Sequence, residues 1–84
     1  MRVIRTQKFR LMFGKLPESV QLACQEQEER LLDNPKDSRL HLKKLRDMDD
    51  TYSFRITRSY RALFIWDNNT AWLFAVGDRK DIYR

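Results

Sequence analysis

A chain of 84 residues with 17 Lys and Arg against 12 Asp and Glu carries a formal net charge of +5. That length allows one domain with one modest core, burying roughly 60–65% of the unfolded chain's surface, and the charge favours a polyanionic partner, nucleic acid or an acidic protein. A single cysteine excludes an intramolecular disulfide, so Cys24 reads as a small buried apolar residue in a reducing compartment. No apolar run approaches the roughly 18 residues of a membrane span and no secretory apolar core opens the chain, so no membrane association is expected and the cytoplasm is the expected location.

Residues 1–16 hold Arg2, Arg5, Lys8, Arg10 and Lys15 and no acid. Arg2-Val3-Ile4-Arg5 is a short β-prone run. Thr6 is placed to cap a helix whose Phe9, Met12, Phe13 and Leu16 recur at helical spacing and which ends near Gly14 and Lys15. Pro17 suits the first position of a second helix, with Glu18 favourable in its first turn. Val20, Ala23, Cys24, Leu31 and Leu32 form its apolar stripe, Glu26, Glu28 and Glu29 its polar side, and Asn34-Pro35 its end.

Lys36-Asp37-Ser38 reads as a turn. Leu40, Leu42 and Leu45 then mark an apolar segment in which Arg39, His41 and Lys43 alternate; if extended, those three share a face. Beyond the polar break Met48-Asp49-Asp50, Tyr52, Phe54 and Ile56 alternate with Ser53, Arg55 and Thr57 as in a half-buried strand, which turns Arg55 away from the packed side. Residues 60–66 and 70–76 form two further strands joined by the hairpin turn Asp67-Asn68-Asn69, with Trp66, Trp72 and Phe74 assigned to the core and to the surface beneath the helices. The whole is one α+β domain over residues 1–84. Its two layers are an N-terminal strand with two helices packed on one face of a mainly antiparallel four- to five-stranded sheet.

The usual catalytic signatures are missing. No Cys or His pair has zinc spacing, two glycines cannot make a glycine-rich phosphate loop, and no nucleophile elbow is present, so neither a metal nor a small-molecule cofactor is expected. What remains is a sheet face bearing arginines and a C-terminal tyrosine. A guanidinium grips phosphate through a planar fork, and an exposed tyrosine stacks on an unpaired base for about 1–3 kcal/mol. Contacts to three or four RNA phosphates imply a log-affinity salt slope of about −2 to −3, so binding alone is expected to be weak at physiological salt and a larger docking partner would help it. A plainer reading leaves Arg55, Arg58 and Arg61 as solvated charges or surface partners of Asp47, Asp49 or Asp50, and packs Tyr83 against Trp72 or Phe74.

The run Leu42-Lys43-Lys44-Leu45-Arg46, the strand Tyr52-Ser53-Phe54-Arg55-Ile56-Thr57, the pair Tyr60-Arg61 and the ending Val76-Gly77-Asp78-Arg79 through Ile82-Tyr83 together resemble the RelE/ParE superfamily of bacterial toxins over nearly the whole chain. The resemblance implies a RelE-like fold and, from its RelE and YoeB branches, a ribosome-dependent mRNA endonuclease held in check by a cognate antitoxin, with mRNA in the ribosomal A site as substrate. It makes Arg61 the arginine that steadies the scissile phosphate, Arg79 the arginine near the leaving oxygen, Tyr83 the aromatic that stacks on the target base, and Arg55 a basic strand position in the same cleft. Lys43, Lys44, Arg58 and Lys80 are further candidates for RNA contact. Ser53 stands where the RelE branch has a cleft lysine, and Asp78 where many relatives have histidine or a basic residue.

The family's reaction is attack of an RNA 2′-hydroxyl on the adjacent phosphate. Arginine stays protonated, so Arg61 and Arg79 suit charge stabilisation rather than proton transfer. His41 is the sole histidine and the candidate base by its ordinary pKa, with Lys43 the competing basic group. Two other classes share the architecture: a ParE-like inhibitor of DNA gyrase, and a catalytically weak member that binds its antitoxin.

Overall fold

The computed structural model describes residues 1–83, and in them five strands and three helices follow one another. Strand β1 (Arg2–Arg5) leads into α1 (Gln7–Gly14) and α2 (Glu18–Asp33). A single 3-10 turn (Ser38–Leu40) and the two-residue β2 (Lys43–Lys44) precede β3 (Thr51–Arg55), β4 (Tyr60–Asp67), β5 (Thr70–Asp78) and the short α3 (Arg79–Ile82). The strands form one sheet in the order β1-β5-β4-β3-β2, antiparallel throughout except that β1 runs parallel to β5. Parallel neighbours need a long crossover, and here everything between β1 and β5 supplies it.

Local chemistry sets the boundaries. Thr6 caps α1, its hydroxyl accepting from the Phe9 amide at 3.2 Å. Pro17 stands at the N-cap of α2, one position earlier than the spacing predicts, and Glu18 opens the helix. Between β4 and β5, Asn68 and Asn69 both take positive φ, 48° and 61°, as a two-residue type I′ hairpin requires; asparagine tolerates that region where branched residues do not. The Asn69 carbonyl then accepts from the Arg2 amide at 2.9 Å, which seats β1 beside β5.

The core lies between the helices and one sheet face. Phe9, Val20, Cys24 and Leu31 from the helices meet Phe54, Ala62, Phe64, Ala71, Leu73 and Val76 from the sheet. Tyr52 stacks on Phe64 with ring centroids 5.7 Å apart, and Trp66 meets Tyr52 edge-on at 5.4 Å. A bulge between Leu63 and Phe64 pairs them with Ala75 and Leu73, so Phe74 is the extra residue and the apolar register of β5 restarts beyond it.

Three expectations are corrected. The buried stripe of α2 runs Val20, Cys24, Gln27, Leu31, and Leu32, about 100° further round the helix, is exposed. Trp72 is 41% exposed on the outer sheet face opposite Ile65, because β5 reaches the core at Ala71 and Leu73. Residues 38–41 are not extended: Asp37 accepts from the Arg39 amide and starts a 3-10 turn that His41 closes at φ 46°, so Arg39, His41 and Lys43 do not share a strand face.

Two polar ties lock helix to sheet. Buried Gln27 of α2 donates through Nε2 to the carbonyls of Arg39 (2.9 Å) and Arg55 (2.6 Å), while its Oε1 accepts from Arg30. Arg5 of β1 makes a bidentate pair with Glu28 at 2.7 and 2.6 Å, its guanidinium 4.2 Å from the Phe13 ring centroid. The pair is mostly buried, so removing one charge strands the other. Glu28→Gln is expected to cost about 1–3 kcal/mol, lowering the melting temperature by roughly 4–8 °C per kcal/mol in thermal denaturation; an unchanged melt would show the pair to be energetically neutral.

Candidate functional site

The face of the sheet turned away from the helices carries the arginines, and the register places them together. Arg55 of β3 and Arg61 of β4 are direct cross-strand partners, and Gly77 of β5, opposite Arg61, adds no side chain. Like charges directly opposed destabilise a sheet, so this pairing is a standing cost of the fold. The link between β3 and β4 brings Arg58; it is pinned by Thr57, whose hydroxyl accepts from the amides of Ser59 and Tyr60 at 3.2 Å. The Ser59 carbonyl accepts from the Arg79 amide at 2.8 Å, which docks the start of α3 against that link.

The result is a cavity of about 340 Å³ lined by Lys43, Arg55, Arg58, Arg61, Arg79, Lys80 and Tyr83. Six of the seven are cationic and none is a carboxylate. Arg61 is 7% exposed. Its Nε donates to Ser53 Oγ at 3.1 Å, and its Nη2 to the same oxygen at 3.0 Å and to the His41 carbonyl at 2.8 Å. Among the described residues the ion pairs are Arg5–Glu28 and Arg39–Asp37, so this buried guanidinium is bonded to neutral oxygens alone. Withdrawing a cation from water without a counter-ion is expensive, and an anion entering the cavity would offset that cost. The cavity wall is thus cationic but for Tyr83, with no carboxylate among its lining residues to balance it.

No protein-family profile and no curated protein match the sequence. Solved structures do. The RelB–RelE antitoxin–toxin complex of Methanococcus jannaschii superimposes with a TM-score of 0.81 at 20% identity, over 95% of this chain and 94% of that one. The RelBE2 toxin–antitoxin complex of Mycobacterium tuberculosis gives 0.76 at 29% identity, over 93% and 96%. A YoeB/ParE toxin of Agrobacterium tumefaciens gives 0.76 at 13% identity, over 94% and 99%.

The chain has the RelE fold. On that RelE-like frame the residues singled out by sequence fall into two groups. Arg55, Arg58, Arg61, Arg79, Lys80, Lys43 and Tyr83 line one cavity. His41 and Lys44 do not. His41 sits in the left-handed region at the end of the 3-10 turn with its side chain exposed, and it reaches the site through its carbonyl. Lys44 pairs with Tyr52, whose face is the core side, whereas Lys43 pairs with Ser53 on the arginine face. Arg39 is taken up by Asp37 at 2.7 Å, and Arg39 holds that carboxyl down at about 2.

Arg55, Arg58 and Arg61 make no ion pair with Asp47, Asp49 or Asp50 among the described residues. Tyr83 is 48% exposed and stands between the cationic cavity and a second one of about 400 Å³, where Leu45, Met48, Leu63, Phe74 and Ile82 also line the wall; Trp72 lines neither. Cys24 lies apart in the core, its thiol pushed well up by burial and by Glu28 3.5 Å away, so it is a poor nucleophile. Among the described residues no three His, Cys, Asp or Glu side chains are grouped to hold a metal, and no helix is long and apolar enough to cross a membrane.

Two roles escape the sequence pattern. Ser53 is fully buried and accepts two of the three bonds that Arg61 donates. Asp78 caps α3, its carboxylate accepting from the Lys80 amide at 2.8 Å, and so fixes the turn that carries Arg79 and Lys80. The alternation that aligns Ser53 with Arg55 was the available signal for the first; Asp-Arg-Lys after a strand was the signal for the second.

An anion held at Arg61 stabilises the folded state. At about ten times its dissociation constant, phosphate is expected to add about 1.4 kcal/mol in thermal denaturation at matched ionic strength, with the increment lost in Arg61→Ala. An equal increment in both proteins would place the bound anion elsewhere.

Proposed function

We propose that this chain is the toxin of a type II toxin–antitoxin pair: a metal-independent endoribonuclease that acts in the cytoplasm on mRNA in the ribosomal A site and is inhibited when its cognate antitoxin covers or remodels the cationic cleft. The observation that carries this reading is Arg61, buried without a carboxylate at the back of a cavity walled by cations and a tyrosine. The toxin part is supported by the structural relatives, which include RelE proteins in complex with RelB antitoxins.

In this reading the 2′-oxygen attacks the adjacent phosphorus and the bond from phosphorus to the 5′-oxygen breaks, giving a 2′,3′-cyclic phosphate and a 5′-hydroxyl. One proton leaves the 2′-hydroxyl and one is delivered to the departing oxygen. Arg61 and Arg79 stabilise the negative charge that builds on the pentacoordinate phosphate, and Arg55, Arg58 and Lys80 hold the flanking backbone. Tyr83, half exposed at the mouth, stacks on a base of the bent strand. With the His41 ring outside the cavity, Lys43, Lys80 and Tyr83 are the cleft side chains able to exchange a proton. Weak intrinsic RNA affinity fits the need for a ribosome to deliver the strand.

Induced expression followed by mapping of mRNA 5′ ends tests the proposal. The wild type is expected to stop growth and cut within coding regions, and Arg61→Ala to lower the cleavage rate by about 10²–10³, the usual effect of losing one charge-stabilising donor. Intact mRNA together with loss of gyrase supercoiling activity would overturn the proposal in favour of a ParE-like action. Harmless expression of folded protein would leave an antitoxin-binding module.

A further inference from the structure

Arg61 has five N–H donors, and their partners divide sharply. The Nε proton and both Nη2 protons are committed to Ser53 Oγ and the His41 carbonyl, at 2.8 to 3.1 Å. The two protons of Nη1 have no partner among the described residues. A guanidinium is planar, so fixing one edge fixes the direction of the other. Ser53 is itself immobile: it is fully buried, in the middle of β3, between its partners Lys43 of β2 and Leu63 of β4. The His41 carbonyl is equally constrained, because the residue is held at φ 46° by a turn whose Arg39 carbonyl is tied to α2 through Gln27.

We infer that Ser53 is a positioning residue of the cleft, clamping one edge of the Arg61 guanidinium so that its Nη1 edge is presented to the scissile phosphate. The inference rests on the nuclease reading above and deepens it. Ser53 is not a candidate base. A hydroxyl oxygen has two acceptor sites, and both are engaged by a cation, which leaves none to take the proton of an RNA 2′-hydroxyl. Its contribution is to remove in advance the rotamer freedom that Arg61 would otherwise lose when phosphate arrives. The effect belongs to the reacting geometry, so it falls on kcat, while docking on the ribosome, which depends on the whole basic surface, is left nearly unchanged.

Single-turnover and steady-state cleavage by the full-length chain on mRNA-programmed ribosomes tests this with Ser53→Ala, Ser53→Thr, Arg61→Ala and the Ser53→Ala, Arg61→Ala pair, each checked for an intact thermal transition. Expected for Ser53→Ala is a roughly 10- to 100-fold fall in kcat with KM within about twofold, the scale of a misplaced reacting group, and recovery in Ser53→Thr, which keeps the hydroxyl. In the Arg61→Ala background the same substitution is expected to have almost no further effect, since the group it aims is gone. Independently of activity, the Arg61 Nε–H signal in nitrogen-15 NMR is expected to be protected from exchange in the wild type and to lose that protection in Ser53→Ala. Wild-type kcat in Ser53→Ala, or a loss that persists undiminished without Arg61, would overturn the positioning role while leaving the nuclease reading intact. A wild type that leaves ribosome-bound mRNA uncut would overturn the nuclease reading and this inference with it, whatever the NMR signal shows.

Discussion

The architecture of the cleft depends on one arginine held away from water by neutral oxygens. Arg61 is almost fully buried, yet its bonded partners are a serine hydroxyl and a backbone carbonyl. A fold selected for stability alone would place a carboxylate there, or no charge at all. Instead the neighbouring positions add charge of the same sign, with Arg55 directly across the strand pair and Arg58, Arg79 and Lys80 around the rim. Such an arrangement stores unfavourable electrostatics that a bound polyanion would relieve.

The rest of the molecule keeps that arrangement in place. The hydrophobic core on the far side of the sheet holds β3 and β4 in the register that opposes Arg55 and Arg61. Gln27 spans from α2 to the carbonyls of Arg39 and Arg55, fastening both the turn before His41 and the end of β3 where the cleft begins. Asp78 and the Ser59 carbonyl fix the first turn of α3, so Arg79 is delivered by a capped helix rather than by a loose terminus. The carboxylate of Asp78, next in sequence to Arg79, is engaged by the Lys80 amide.

Strand and helix identities were legible because their periodicities are clean: Tyr52, Phe54 and Ile56 alternate, and Phe9, Met12 and Phe13 recur at helical spacing. The basic wall was legible for the same reason, since alternation puts Arg55 outside and the hairpin places Arg61 beside it. The turn at 36–38 was legible, but residues 39–41 were misread because Leu40 and Leu42, two apart, imitate a strand, whereas Asp37 bonds the backbone two residues on and starts a 3-10 turn. That error misplaced His41, whose carbonyl and not its ring serves the site. Trp72 was misplaced because β5 is apolar on both faces, and periodicity does not tell which face the helices cover. Ser53 read as a lost lysine and Asp78 as a lost base, because a pattern of side-chain charge says nothing of hydrogen bonds to a guanidinium or to a helix end.

The central claim, that the unpaired edge of Arg61 is a receptor for the scissile phosphate, is tested most directly by the structure of this chain bound to an mRNA in the ribosomal A site whose attacking 2′-hydroxyl is replaced by hydrogen. The expected result is a non-bridging phosphate oxygen about 3 Å from Arg61 Nη1, with the bonds to Ser53 and the His41 carbonyl retained. A strand that bypasses the cavity, or an Arg61 that stays closed against Ser53 with no phosphate within hydrogen-bonding reach, would contradict it.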